Sequence, residues 1–153
     1  LPSTFQPTQK VTCADRHIKD GETLYLSNIT IAAIATPGHT DRHMPYLVND
    51  DRVLTGDALL IRGCGRTDFQ SGDAGTLYDS VQERLFTLPD ETLVYPARDD
   101  RGHTGSTIGE EKRWNPRFAG RDRPSFIEFM NNLKLPYPKK ILAAVPANEM
   151  CGC

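Results

Sequence analysis

No run in this 153-residue chain is apolar for anything near the length of a membrane span, and no charged-then-apolar leader opens it. Neither a transmembrane helix nor a secretory signal is therefore expected. Cysteine is scarce. Cys13, Cys64, Cys151 and Cys153 are scattered, none in a CxxC pair, which argues against a disulfide scaffold. Cys151-Gly152-Cys153 reads as two loose tail thiols, with a soft-metal or redox role as the alternative. Excess charge is missing too: 18 Lys and Arg face 20 Asp and Glu, so the formal charge of −2 gives no footing for nucleic acid or an anionic membrane. No internal repeat, heptad or low-complexity tract is present. The length suits one domain with a core of its own. The expectation is a soluble cytosolic protein, with a mitochondrial location after loss of a transit peptide as the alternative.

What the chain does have is Thr36-Pro37-Gly38-His39-Thr40 followed by Thr55-Gly56-Asp57. A histidine leaves a tight Pro-Gly turn, and a carboxylate follows a glycine at the end of a short apolar run. The two stand 18 positions apart, room for a strand, a turn and a second strand that returns Asp57 to the histidine's end of a sheet. One neutral imidazole and one carboxylate are two thirds of the 2-His-1-carboxylate face that holds ferrous iron with open positions. A third protein ligand is needed. Yet no HxH pattern occurs among His17, His39, His43 and His103. His17 and His43 read as surface residues. His103, between Gly102 and Gly105, reads as a mobile loop residue that could in principle substitute as a ligand. Without a partner motif, His39 reads equally as a turn histidine facing water and Asp57 as a turn or N-cap aspartate.

Strands are expected first and helices later. Leu24 and Leu26 alternate, Ile29 to Ala35 is apolar and β-branched, and Tyr46–Val48 and Val53–Leu54 flank an acidic turn at Asn49–Arg52. A glycine-rich loop runs from Gly63 to Gly75. The spacing of Leu77, Val81 and Leu85 predicts a helix capped by Thr76 and ending before Pro89. Thr92–Tyr95 reads as a strand. Thr107 with Glu110 predicts a second helix ending before Pro116, and Ser125 with Glu128 a third whose apolar face is Phe126, Phe129, Met130 and Leu133. The run Glu110-Glu111-Lys112-Arg113 reads as a solvated helix face. The order suggests α+β, a mixed sheet with helices on one side.

The segments TPGHTD, LTGDALLIRGCGRTDFQSGDAGTLYDSV, FTLPDETLVYPA, STIGEEKRWNPR and NLKLPYPKKI together resemble the persulfide dioxygenases, glutathione-linked sulfur dioxygenases of the metallo-β-lactamase superfamily. The resemblance runs from about Asp15 to Cys151. It implies an αββα sandwich, a mononuclear Fe(II), and oxidation of glutathione persulfide by O₂ to sulfite and glutathione. By position, His39 and Asp57 match two iron ligands, and Arg66 matches a loop arginine that supports the loop or meets an anionic group of glutathione. Arg66 could also pair with Asp68 or Asp57 alone.

Three departures shape the expectation. The HxHxDH motif that supplies the remaining iron histidine is missing, so residues 1–153 are expected to be a partial domain lacking the N-terminal metal-binding half, and inactive or impaired by themselves. Arg98 and Asp100 replace a histidine and a tyrosine, the histidine belonging to a second metal position that the iron enzymes leave empty. Arg42-His43 replaces smaller residues. An open sheet would favour aggregation or a homodimer. The rival reading is a non-catalytic remnant that assembles with a partner chain. A glyoxalase II-like hydrolase is third, disfavoured by Arg98.

Overall fold

The computed structural model describes residues 17–69 and 71–149. They fall into two compact units, one of residues 20–133 and one that includes residues 17–19 and 134–149. Cys13, Cys151 and Cys153, and with them the tail-thiol expectation, lie outside the described residues.

The larger unit is built on one mixed sheet. Strands β1 (Thr23–Leu26), β2 (Ile29–Ala33), β3 (Tyr46–Val48), β4 (Arg52–Gly56), β5 (Leu93–Pro96) and β6 (Ser106–Thr107) lie side by side in chain order. Every neighbouring pair is antiparallel except β4 and β5, which are parallel. Parallel neighbours need a long crossover, and here it carries a loop and helix α1 (Ala74–Ser80), which continues as a π-helical stretch over Val81–Leu85. The β3–β4 turn works because Asn49 and Asp50 both accept left-handed backbone, at φ 50° and 57°, while the Asp51 N–H donates to Val48 at 3.2 Å. Asn49 Oδ1 also accepts from the Thr30 N–H at 2.9 Å, pinning the turn to β2.

Alternation along the strands decides which face is covered. Val53, Thr55 and Val94 are completely buried, and the two valines meet Leu77, Val81, Leu85, Ile108, Phe118 and Phe126 in one core. Leu54, Leu93 and Tyr95 point the other way and stay exposed; at the far edge of the sheet Tyr25, Leu26 and Ile29 are exposed as well. Helices therefore cover one face of an α+β sheet, as the strand-then-helix order predicts.

Helix α2 (Ile108–Trp114) begins where expected, Thr107 Oγ1 accepting from the Glu110 N–H at 3.2 Å. Two caps differ. Asp73 caps α1 by accepting from the Thr76 N–H at 2.7 Å, and Asp122 caps α3 (Arg123–Asn131) by accepting from the Ser125 N–H at 3.0 Å. Thr76 and Ser125 are thus the N3 residues whose amides are satisfied, and the caps lie three positions earlier. A carboxylate outcompetes a hydroxyl because it also carries charge toward the positive helix end. Phe126 and Met130 are buried and Phe129 and Leu133 pack beside them, as the helical spacing predicts. Glu111 corrects the picture of a solvated charged face on α2, for it is completely buried. The smaller unit contributes helix α4 (Ile141–Glu149), with Pro146 inside it, an element the sequence pattern did not predict.

Candidate metal centre

His39 is aimed by three local devices. Gly38 sits at φ 132°, and a side chain there would strike the Leu77 backbone at 2.3 Å, so only glycine lets the turn lie against α1. The turn is tied down by Ser80 Oγ donating to the Pro37 carbonyl at 2.7 Å and by the Asp73 N–H donating to the Gly38 carbonyl at 2.8 Å. His39 Nδ1 then lies 2.7 Å from the Arg66 carbonyl. A carbonyl only accepts, so Nδ1 carries the hydrogen, and in the neutral ring the Nε2 lone pair is left open. That nitrogen faces Asp57 Oδ2 at 3.7 Å.

Asp57 leaves β4 through Gly56, at φ 57°. A side chain at Gly56 would meet His43 Nε2 at 2.5 Å. His43 is thus packed beneath the site, which corrects its reading as a surface residue. Its Nδ1–H donates to Thr36 Oγ1 at 3.0 Å, and its Nε2 accepts the Asp57 N–H at 3.1 Å. Burial, reinforced by the neighbouring His39, pushes the His43 pKa down to about 4, against a smaller opposing pull from Asp57. A neutral ring is what this role requires, since an imidazolium could not accept the amide.

The glycine-rich loop closes the other wall. Gly65 donates its N–H to the Asp57 carbonyl at 2.7 Å and lies flat on the His39 ring, where a Cβ would be 2.7 Å from Nδ1. Arg66 serves the site through its carbonyl, a role its side chain does not announce. The guanidinium forks onto Asp68 at 2.6 and 2.7 Å and stacks on Phe69 at 4.3 Å. Pairing with Asp68 is one of the sequence alternatives, and it raises the Arg66 pKa while lowering that of Asp68.

Arg98, unremarkable in the sequence except as a replacement, donates from Nε to Asp57 Oδ1 at 3.2 Å. His103 does not join the site. It closes a small exposed turn and pairs with Asp99 at 3.1 Å instead. His17 is exposed, as expected. Cys64 is buried against Met130 at 3.8 Å, and burial pushes its thiol up to about 12, so it is a packing residue and no ligand.

A divalent ion forms bonds of about 2 Å to imidazole and carboxylate, so donors 3.7 Å apart can share one. His39 Nε2 and Asp57 Oδ2 fit as two ligands of such an ion. Among the described residues, no group of three or more His, Cys, Asp or Glu could hold a metal.

The family model of the metallo-β-lactamase superfamily matches residues 14–98. The human mitochondrial persulfide dioxygenase ETHE1 is 50% identical over 140 residues, covering 91% of this chain and 55% of the human protein. The crystal structure of ETHE1 from Myxococcus xanthus superposes with a TM-score of 0.91 at 54% identity, covering 96% of this chain and 65% of that one. The structure of TTHA1623 in a di-iron-bound form matches with a TM-score of 0.55 at 31% identity, over 66% of this chain and 47% of that one. The chain spans about half the length of the human, mouse and bovine relatives of this name that it matches.

Proposed function

The chain belongs to the metallo-β-lactamase superfamily, and on that premise we propose that it supplies the His39–Asp57 wall of a persulfide dioxygenase that converts glutathione persulfide and O₂ to sulfite and glutathione at a single Fe(II). The observation that carries this reading is the opposed pair, Nε2 and Oδ2 3.7 Å apart, with His39 Nδ1 already committed to the Arg66 carbonyl. Bound there, iron would supply open coordination positions and redox chemistry at sulfur. This chain's residues hold the donors in place. Gly65 and Gly38 set the ring plane of His39, His43 fixes the Asp57 backbone, and Arg98 occupies the second carboxylate oxygen. The Arg66 guanidinium, screened by Asp68, lends positive charge beside the loop for an anionic thiol carrier.

Two ligands hold a divalent ion poorly. The exposed apolar face at Leu54, Leu93 and Tyr95 is the second observation, since a sheet with that face polar would need no cover. We read both as asking for residues that these 153 do not contain, which would bring a further ligand and cover the sheet. The same face supports the rival reading, a non-catalytic chain that assembles with a partner or a second copy. Hydrolase character is disfavoured by Arg98, whose guanidinium stands on Asp57 where a second cation would be repelled. Among the described residues no helix is long and apolar enough to cross a membrane. The cytosolic placement expected from the sequence gains nothing from the human relative, whose name places it in mitochondria.

Oxygen uptake with glutathione persulfide tests the proposal, using the iron-loaded 153-residue chain alone and joined to the N-terminal remainder of a persulfide dioxygenase. Little turnover alone and robust turnover when joined, abolished by His39→Ala or Asp57→Ala, is the expected result. Robust turnover by the chain alone sinks the partial-site reading, and none from the iron-loaded joined protein sinks the function.

A further inference from the structure

A buried polar clamp sits one turn away from the site and is not explained by it. Glu111 of α2 is completely buried, and its carboxylate gathers the Arg62 N–H at 2.9 Å, the Arg62 guanidinium, Ser106 Oγ at 2.6 Å and Asn115 Nδ2 at 2.8 Å. Asn115, also completely buried, reaches with the same nitrogen to the Gly63 carbonyl at 3.0 Å and the Leu60 carbonyl at 3.3 Å. These are the two residues whose backbones pair across the tight turn Leu60–Gly63, with hydrogen bonds of 3.0 and 3.1 Å. Within that turn Arg62 holds a left-handed backbone at φ 57°, uncommon for a side chain of its size. So much polar bonding around one turn is costly to bury unless every partner is placed.

The turn leads directly to the metal donors. Three residues beyond Arg62, Gly65 bonds the Asp57 carbonyl and lies on the His39 ring; one further on, the Arg66 carbonyl holds His39 Nδ1. The loop thus leaves Asp57, is gripped at its far end by α2, and returns to set the other donor.

We propose that Glu111 and Asn115 are positioning residues for His39. By fixing the Leu60–Gly63 turn they place the Arg66 carbonyl, and that carbonyl selects the Nδ1–H tautomer which leaves Nε2 open toward Asp57. Neither residue touches the donors; each acts through the loop. The proposal rests on His39 being a metal ligand only for its functional consequence, and its test needs no metal.

The test is ¹⁵N-imidazole NMR of the metal-free 153-residue chain, which distinguishes a protonated from an unprotonated ring nitrogen. In the wild type, His39 and His43 should both show fixed Nδ1–H. In Asn115→Ala, with circular dichroism retained, His39 should fall back to the tautomer mixture of a free imidazole while His43, held by Thr36 and the Asp57 amide, stays fixed. Arg62→Lys, which keeps a charge beside Glu111 but loses the guanidinium fork, should shift His39 part of the way. A fixed His39 tautomer in either folded variant overturns the proposal. Loss of the fold in both also overturns it, because the clamp would then hold the domain and not His39 in particular. Failure of dioxygenase activity in the joined protein leaves this result standing, so the two ideas fail separately.

Discussion

Replacing Gly65 by alanine isolates the closest approach in the site. The added Cβ would stand 2.5 Å from the Asp57 carbonyl oxygen and 2.7 Å from His39 Nδ1, so the loop must retreat by about 0.9 Å to reach the 3.4 Å of ordinary contact. The obstacle is a backbone atom that is itself held by the Gly65 N–H at 2.7 Å, and that bond does not survive such a move. Its loss costs about 1 kcal/mol, as does the bond from His39 to the Arg66 carbonyl when the loop lifts. Residual crowding adds about 1–3 kcal/mol, and the stiffer unfolded chain returns about 0.4–1 kcal/mol. The net expectation is about 2–5 kcal/mol of destabilisation, a fall of about 1–2 M in the urea midpoint for a chain of this size. Gly63 is the control two residues away. A Cβ there meets only the Leu60 side chain at 3.7 Å, and the backbone needs no left-handed angle, so Gly63→Ala should be neutral or slightly stabilising. Far-UV circular dichroism across a urea series at pH 7 reads both. Equal midpoints for the two variants would refute the claim that the glycine-rich loop is pressed against His39 and Asp57.

The half-buried His43 should titrate with a midpoint near 4 by NMR. Because its folded pKa lies below its unfolded value of about 6.5, the unfolded chain binds the extra proton, so stability should fall as pH drops from about 6.5 to 4, and His43→Asn should flatten that slope; a midpoint near 6.5 contradicts the burial. Asp73→Ala removes the α1 cap and should cost about 1 kcal/mol in the same urea assay, while Thr76→Ala, which keeps the N3 amide, should cost less. Arg98→Gln frees Asp57 Oδ1 from an exposed cation and should tighten binding of Zn²⁺ by a few-fold, on the order of 1 kcal/mol, in a calorimetric titration. An unchanged affinity would mean that the guanidinium swings clear of the ion.

The sequence by itself determined whatever depends on local chemistry. Alternation set β1, short apolar and β-branched runs set β2 to β5, a run of Asn and Asp set the β3–β4 turn, and helical spacing set the buried faces of α1 and α3. His39 and Asp57 stood out in the sequence because each follows a glycine, Gly38 and Gly56, and both glycines take a positive φ that side chains disfavour. Tertiary structure alone decided the roles of residues whose partners lie far off in the chain. His43 reads as polar and exposed until Gly56 is laid over it. Glu111 reads as one of four charges on a helix until Arg62 arrives from 49 positions away. Arg66 reads as a side chain with a function, yet the atom that meets His39 is its carbonyl, identical in every residue and invisible to any reading of residue type. Periodicity reports what one element must bury. Which partner satisfies a buried charge is settled only when elements meet, because the cost of leaving it unpaired arises in the folded state alone.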